Sequence, residues 1–249
     1  MGLTEDWPEP VEAVNEDGGA PFVLICEHAS RHMPAEYADL GLDGVARDGH
    51  IAWDIGAAAV TRELAAALDA PAFLGTYSRL LIDLNRPIGA PSSICERSEA
   101  TDIPGNRRLS APESERRRRT IFTPFHARVR QHLDRRQSAG RPTKIVAIHS
   151  FTPVFLGVRR PWCAGILYGA ARGFGEAMVG ALGADPSILV GANVPYVVDR
   201  DEDYTVPVHG DDRGVPTILV EIRHDLFGAP RGISEWAKRL AAALRNATF

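Results

Sequence analysis

Pro21-Phe-Val-Leu-Ile-Cys-Glu-His-Ala-Ser-Arg-His-Met-Pro34 is the stretch from which the rest of the chain is read. The unbroken apolar run Phe22 to Cys26, with β-branched Val23 and Ile25, suits a strand covered on both faces, as in a sheet flanked by helices. It stops abruptly in Glu27 and His28. In open α/β sheets the carboxyl edge of the strands is where ligands bind, because the loops leaving it form a crevice. The plainer reading of the same residues is a strand-end turn with solvated polar side chains.

The pattern recurs. Lys144-Ile-Val-Ala-Ile-His149 is a second apolar run that ends in histidine, and Thr217-Ile-Leu-Val-Glu-Ile-Arg223 is a third, interrupted by Glu221. Ala72 to Tyr77, Leu80 to Leu84, Ala164 to Tyr168 and Ile188 to Val190 read as shorter strands. Helical spacing marks Ala52 to Leu68 with Asp54 at its start, Gly173 to Leu182 and Ser234 to Arg245. Ser110-Ala-Pro-Glu113 is a capping box opening a helix to about Gln137, which Pro124 should kink or divide. Residues 87–109 and 191–214 form long polar loops, a length that usually signals function. Strands alternating with helices indicate an α/β layer fold.

Composition narrows the partners. In 249 residues, 28 basic and 32 acidic side chains leave a net charge of -4, so there is no global electrostatic reason to hold nucleic acid or an anionic membrane. The run Arg116 to Arg119 reads as a solvated helix face. Cys26, Cys95 and Cys163 are odd in number, scattered and free of any CxxC pair, as expected of a reduced, cytoplasmic protein. Residues 1–20 lack an apolar signal core and read as a surface arm, with a single domain over 21–249. No apolar run approaches the roughly 20 residues of a membrane helix. The oligomeric state is left open.

His28 and His149 end different strands, and a folded sheet brings them together with Asp54. Two imidazoles and a carboxylate are a common catalytic zinc set with a position open to water. Singly, each has a duller role: a strand-end histidine is often structural, and Asp54 suits an N-cap. His50 and His32 compete with Asp54 as the third ligand. Glu221 has no such escape, since a carboxylate inside Thr-Ile-Leu-Val-Glu-Ile must face a polar cleft or lose several kcal/mol, of order 2–7 even for a neutral polar group. In a cleft it suits a general base.

Cys-Glu-His28-Ala-Ser, His50-Ile-Ala-Trp-Asp54-Ile-Gly, Ser78-Arg-Leu-Leu-Ile-Asp-Leu-Asn-Arg86, Ile103-Pro-Gly-Asn-Arg107, His149-Ser-Phe-Thr-Pro153 and Glu221-Ile-Arg-His-Asp-Leu226 together resemble the N-formylglutamate amidohydrolase family. The resemblance implies a three-layer, zinc-exopeptidase-like (phosphorylase/hydrolase-like) α/β fold with a mixed sheet between helices, and an amidohydrolase domain over 21–249. It implies Zn2+ held by His28, Asp54 and His149, Glu221 as base, and a small N-acyl amino acid as substrate, in amino-acid metabolism of the histidine-degradation kind. Asn85-Arg86 resembles the Asn-Arg pair that grips the substrate carboxylate in zinc carboxypeptidases. Arg79, lying at the other end of its short strand from Arg86, is an alternative grip, and Arg107, Arg31 and His209 complete the expected substrate-binding set. Arg31 departs from the family pattern, which has Asn after Ala-Ser. An arginine beside the metal motivates a second reading, a catalytically weak member that binds small molecules or regulates. A deacylase or peptidase for a bulkier group is the third.

Overall fold

The run Phe22–Cys26 is a strand buried along its whole length. In the computed structural model, which describes residues 6–228 and 230–247, it lies near the middle of a seven-stranded mixed sheet. The strands are β1 (Val11–Val14), β2 (Phe22–Cys26), β3 (Ala72–Gly75), β4 (Lys144–Phe151), β5 (Ala164–Tyr168), β6 (Val190–Ala192) and β7 (Thr217–Arg223), in spatial order β1-β3-β2-β4-β7-β5-β6. The central four, β3, β2, β4 and β7, run parallel. β5 reverses against β7 and carries β6 parallel to itself, while β1 closes the other edge antiparallel to β3. The segment expected as an N-terminal arm thus supplies an edge strand.

Helices cover both faces, which is why the central strands are apolar without alternation. On one face α1 (Ala57–Leu68), α4 (Arg172–Gly183) and α5 (Pro230–Asn246) bring Val60, Leu64, Met178 and Leu240 against Leu24, Ile148, Ile166 and Val220. On the other, α3 (Thr123–Ser138) and the segment before it set Ile121, Phe125 and Val129 against Val23, Ile25, Phe73 and Ile145. Each such side chain contributes roughly 1.5–3 kcal/mol of transfer free energy.

Four expectations are corrected here. Leu80 to Leu84 is not a strand: its apolar side chains belong to the second-face core, and side chains take the place of a ladder at its backbone. Arg117 donates to the Leu81 carbonyl and Asn106 to that of Leu80, at 3.0 and 2.8 Å. That use of Arg117 removes it from the solvated face on which Arg116 to Arg119 was placed, for it is 1% exposed. The helix expected from Ala52 starts at Ala57, behind Gly56 at φ 82°, a conformation favouring glycine, and the Asp54 side chain caps nothing. The Ile188–Val190 strand is displaced to Val190–Ala192. The long helix divides as Pro124 predicts: Ser110 caps α2 (Ala111–Arg117), wider turns fill Arg118–Phe122, and Pro124 sits in the first turn of α3.

Gly165 of β5 lies opposite Glu221 of β7. A methyl group there would collide with the Val194 carbonyl oxygen, backbone that has nowhere to retreat. Gly165→Ala should therefore lower unfolding free energy by about 1–3 kcal/mol, the usual cost of overpacking. A urea midpoint equal to that of the unsubstituted protein would remove this close approach from the account.

Candidate active site

Parallel strands end together, and here three of them end in chemistry. His28 lies two residues beyond the end of β2, His149 lies near the end of β4, and Glu221 is the β7 residue in register with His149. Alternation along β4 and β7 puts Ala147 and Leu219 in one cluster on the face opposite α1, so His149 and Glu221 share that face. Asp54 is drawn in by its own backbone, whose N–H donates to the His28 carbonyl at 2.9 Å.

His28, Asp54 and His149 offer ligand atoms within 4.8 Å of one another, all three residues being buried. Asp54 Oδ2 is 3.3 Å from His28 Nδ1 and 2.8 Å from His149 Nδ1. The far nitrogens are equally committed: His28 Nε2 is 2.7 Å from Asp83 Oδ1, and His149 Nε2 is 3.0 Å from Glu27 Oε2. A carboxylate only accepts, so each Nε2 carries the proton and Nδ1 is left for a cation once its own proton is released. Carboxylates behind histidine ligands fix ring orientation and raise basicity. Asp83 in turn accepts from Arg79, and Glu27 from the Thr205 hydroxyl.

Burial would raise the Glu27 carboxyl, but the adjoining His149 imidazole pulls it down to about 2. Asp54 is held well below its ordinary range by His28 and His149 against the same burial. Glu221 goes the other way: burial pushes it up to about 7, with Asp54 adding to the rise and His149 opposing it. Its Oε2 is buried without a hydrogen-bond partner. A carboxylate poised near neutrality beside a potential metal group suits proton transfer.

A cavity of about 550 Å³ opens onto these residues. His28, Asp54, His149 and Glu221 line it, as do Arg79, Asn85 and Arg86. Arg79 and Arg86 both reach it because no strand separates them, contrary to expectation. Arg79 is paired with Asp83 at 2.7 Å and lies 3.6 Å from Asp54, and Arg86 is paired with Asp203 at 3.0 Å. Both long polar loops reach the cavity, through Ser92 to Glu99 and Tyr196 to Asp203.

Three residues of the expected substrate set lie elsewhere. Arg31 is half exposed near Asp48 and over the Trp53 ring, and Arg107 pairs with Asp102 on the surface. His209 is buried, with Nε2 at 2.9 Å from His126 Nδ1, a core contact. The rival third ligands also fall away: His32 sits against the Asp6 carbonyl, and His50, though at the cavity, is 2.6 Å from Glu99. Sequence reasoning missed Glu27 and Asp83 as supports. The signal was present in part, for each lies within a few residues of one already chosen, His28 and Asn85.

An α/β sheet whose strand ends gather a metal-competent His–Asp–His group beside a poised glutamate is the class of protein that fold and site define. The chain belongs to the N-formylglutamate amidohydrolase family, whose model matches residues 20–228. It is similar in structure to gene product Atu2144 of Agrobacterium tumefaciens, with TM-score 0.92 and 35% identity over 98% of each chain. It shares its fold with N-formylglutamate amidohydrolase from Ralstonia eutropha JMP134, with TM-score 0.74 and 18% identity over 96% of this chain and 97% of that one. None of the curated proteins matches it.

Asp83→Asn replaces the acceptor behind His28 with an amide of the same shape. If the His28, Asp54 and His149 group holds a metal ion, the change should weaken its binding about 10–100-fold in a chelator competition with Zn2+ as the probe, as losses behind a ligand typically do. Unchanged affinity would show that Asp83 does not support that group. The core histidines give a second test. Burial drives His126 well below the ordinary imidazole range, and His209 down to about 4. The unfolded chain then binds more protons below the ordinary value of about 6.5, so the stability they contribute is full above that pH and is lost as pH falls toward about 4. Urea unfolding from pH 7.5 to 4.5 should show a shallower acid loss for His209→Gln than for the unsubstituted protein; parallel curves would contradict it.

Proposed function

We propose that this chain hydrolyses the amide bond of an N-acyl amino acid, with zinc held by His28, Asp54 and His149, in a fold of the zinc-exopeptidase type with residues 21–249 acting as one amidohydrolase domain. The observation that carries the reading is the unpartnered Glu221 Oε2 buried at the cavity beside a group that could hold a metal. The donor set of two imidazoles and one carboxylate suits zinc in a catalytic rather than a structural site. Zinc bound there supplies Lewis acidity toward the acyl carbonyl and the attacking water.

The protein's own groups do the rest. Glu221 takes a proton from the attacking water at Oε2 and passes it to the amide nitrogen, so that the amine leaves neutral. Its raised proton affinity serves both halves of that transfer. Glu27 and Asp83 hold the two imidazoles in place throughout. The Asn85 amide oxygen accepts from the Tyr204 and Thr205 backbone N–H groups at 3.2 and 2.9 Å, which places the Thr205 hydroxyl on Glu27. Arg86 donates to Asp203 and, at 2.7 Å, to the Glu202 carbonyl. Asn85 and Arg86 are thereby committed to the loop that carries Thr205, so we assign them to positioning in place of the carboxylate grip implied by the carboxypeptidase resemblance.

The cavity volume lies within the roughly 300–1,000 Å³ typical of sites for drug-sized ligands, leaving space for acyl groups beyond formyl. The binding-protein reading rested on Arg31, which lies outside the cavity. Glu221→Gln should keep one zinc per chain and lose about 10²–10⁴-fold in kcat on whichever N-acyl amino acid the unsubstituted enzyme cleaves best. Retained turnover with full metal would hand the proton transfer to another group.

A further inference from the structure

Arg160 is 9% exposed, and among the described residues it has no carboxylate partner. Its guanidinium carbon lies 4.5 Å from the centre of the Phe155 ring, 4.8 Å from Tyr196 and 5.7 Å from Phe151. All three rings line the cavity. Its one hydrogen bond of note is a donation from Nη1 to the Tyr196 hydroxyl oxygen at 2.9 Å. A largely buried guanidinium stacked on aromatic faces gains some cation–π energy, and among the described residues no carboxylate pairs with it. Arg160 stands behind those rings, and the arginines that line the cavity are different. Arg79 faces Asp83 and Asp54, Arg86 faces Asp203, and Arg97 lies 3.6 Å from Asp102.

The geometry points to Tyr196 and Arg160 as the receptor for the carboxylate of the leaving amino acid. Because the phenol oxygen accepts from Arg160, its own O–H is free to donate into the cavity, and the guanidinium behind it favours an anion at that spot. Tyr196 touches the substrate, and Arg160 is a positioning residue that orients the phenol and supplies the charge. With one arginine behind this wall that no carboxylate pairs with among the described residues, the subsite takes a single carboxylate, and the substrate class is N-acyl amino acids recognised through that group. The assignment rests on the proposed hydrolysis for the identity of its ligand.

The test reads binding apart from turnover. Calorimetry on zinc-loaded Glu221→Gln protein would compare N-acetyl-L-leucine with N-acetyl-L-leucinamide, which differ only in carboxylate against carboxamide. We expect the carboxylate to bind about 10-fold tighter or more, as a charge-assisted hydrogen bond warrants. Adding Tyr196→Phe or Arg160→Met should reduce that preference below about 3-fold, and Arg160→Lys, which keeps the charge, should restore part of it. A preference absent from the parent protein, or undiminished in Tyr196→Phe, would overturn the assignment. Should Arg160→Met fail to fold by its thermal transition, Tyr196→Phe decides. An unsubstituted enzyme that cleaves no N-acyl amino acid would sink the proposed reaction, while the binding preference would still decide this subsite.

Discussion

Two buried imidazoles, each tethered at Nε2 by a carboxylate and sharing a third carboxylate at Nδ1, are the constraint on which the molecule depends. Removing so many ionisable groups from water is tolerable only where each has a partner in good geometry. The chain meets that demand by taking the partners from widely separated segments. Glu27 and His28 leave β2, Asp54 precedes α1, Asp83 comes from the irregular segment after β3, and His149 comes from β4, while Glu221 on the adjacent parallel strand is the group left unpartnered at Oε2. The sheet register is thus a requirement of the site's charge balance as well as of the core. A one-residue slip of β4 against β7 would turn His149 or Glu221 away from the shared face.

The supporting layers follow from the same demand. Arg79 keeps Asp83 ionised against its burial, and His149, with a smaller share from the Thr205 hydroxyl, does the same for Glu27. Asn85 then fixes the backbone that presents Thr205. Farther out, Asn106 ties the segment that carries Asp83 to the loop that carries Cys95, by donating to the carbonyls of Leu80 and Cys95. The Ile103–Arg107 motif therefore acts through this amide, since Arg107 itself is spent on a surface pair.

What was legible in the sequence was whatever an apolar run could announce. The strands containing Ile25, Ile148 and Val220 are written as buried runs, and a polar residue at or inside such a run stands out, as His28, His149 and Glu221 do. Leu80 to Leu84 gave the same signal for another reason, being a core segment whose carbonyls are satisfied by side chains remote in sequence, Asn106 and Arg117. No local pattern carries that information. Asp83 stands inside such a run too, but a single acidic residue there does not reveal which imidazole it faces. Arg31, Arg107 and His209 were drawn in by position within or near motifs, and the fold spends them on the surface or in the core. Arg160 belongs to a stretch with neither periodicity nor a capping signal, and only the stacking of three aromatic rings makes it conspicuous.

The short strand β6 has a consequence for self-association. It exposes a sheet edge of only three residues, Val190–Ala192, and β1 at the far edge has four. Long unpaired edges recruit strands from other molecules, and brevity is one of the ways proteins blunt them. At the β6 end the chain leaves the edge almost at once: Asn193 N–H donates to the Ile166 carbonyl, and its side-chain oxygen accepts from Tyr168 N–H. The backbone then turns over Gly165 and carries Tyr196 to the cavity. The segment that denies a neighbouring molecule an edge to pair with is therefore the segment that furnishes one wall of the binding site, and lengthening β6 would trade recognition for aggregation.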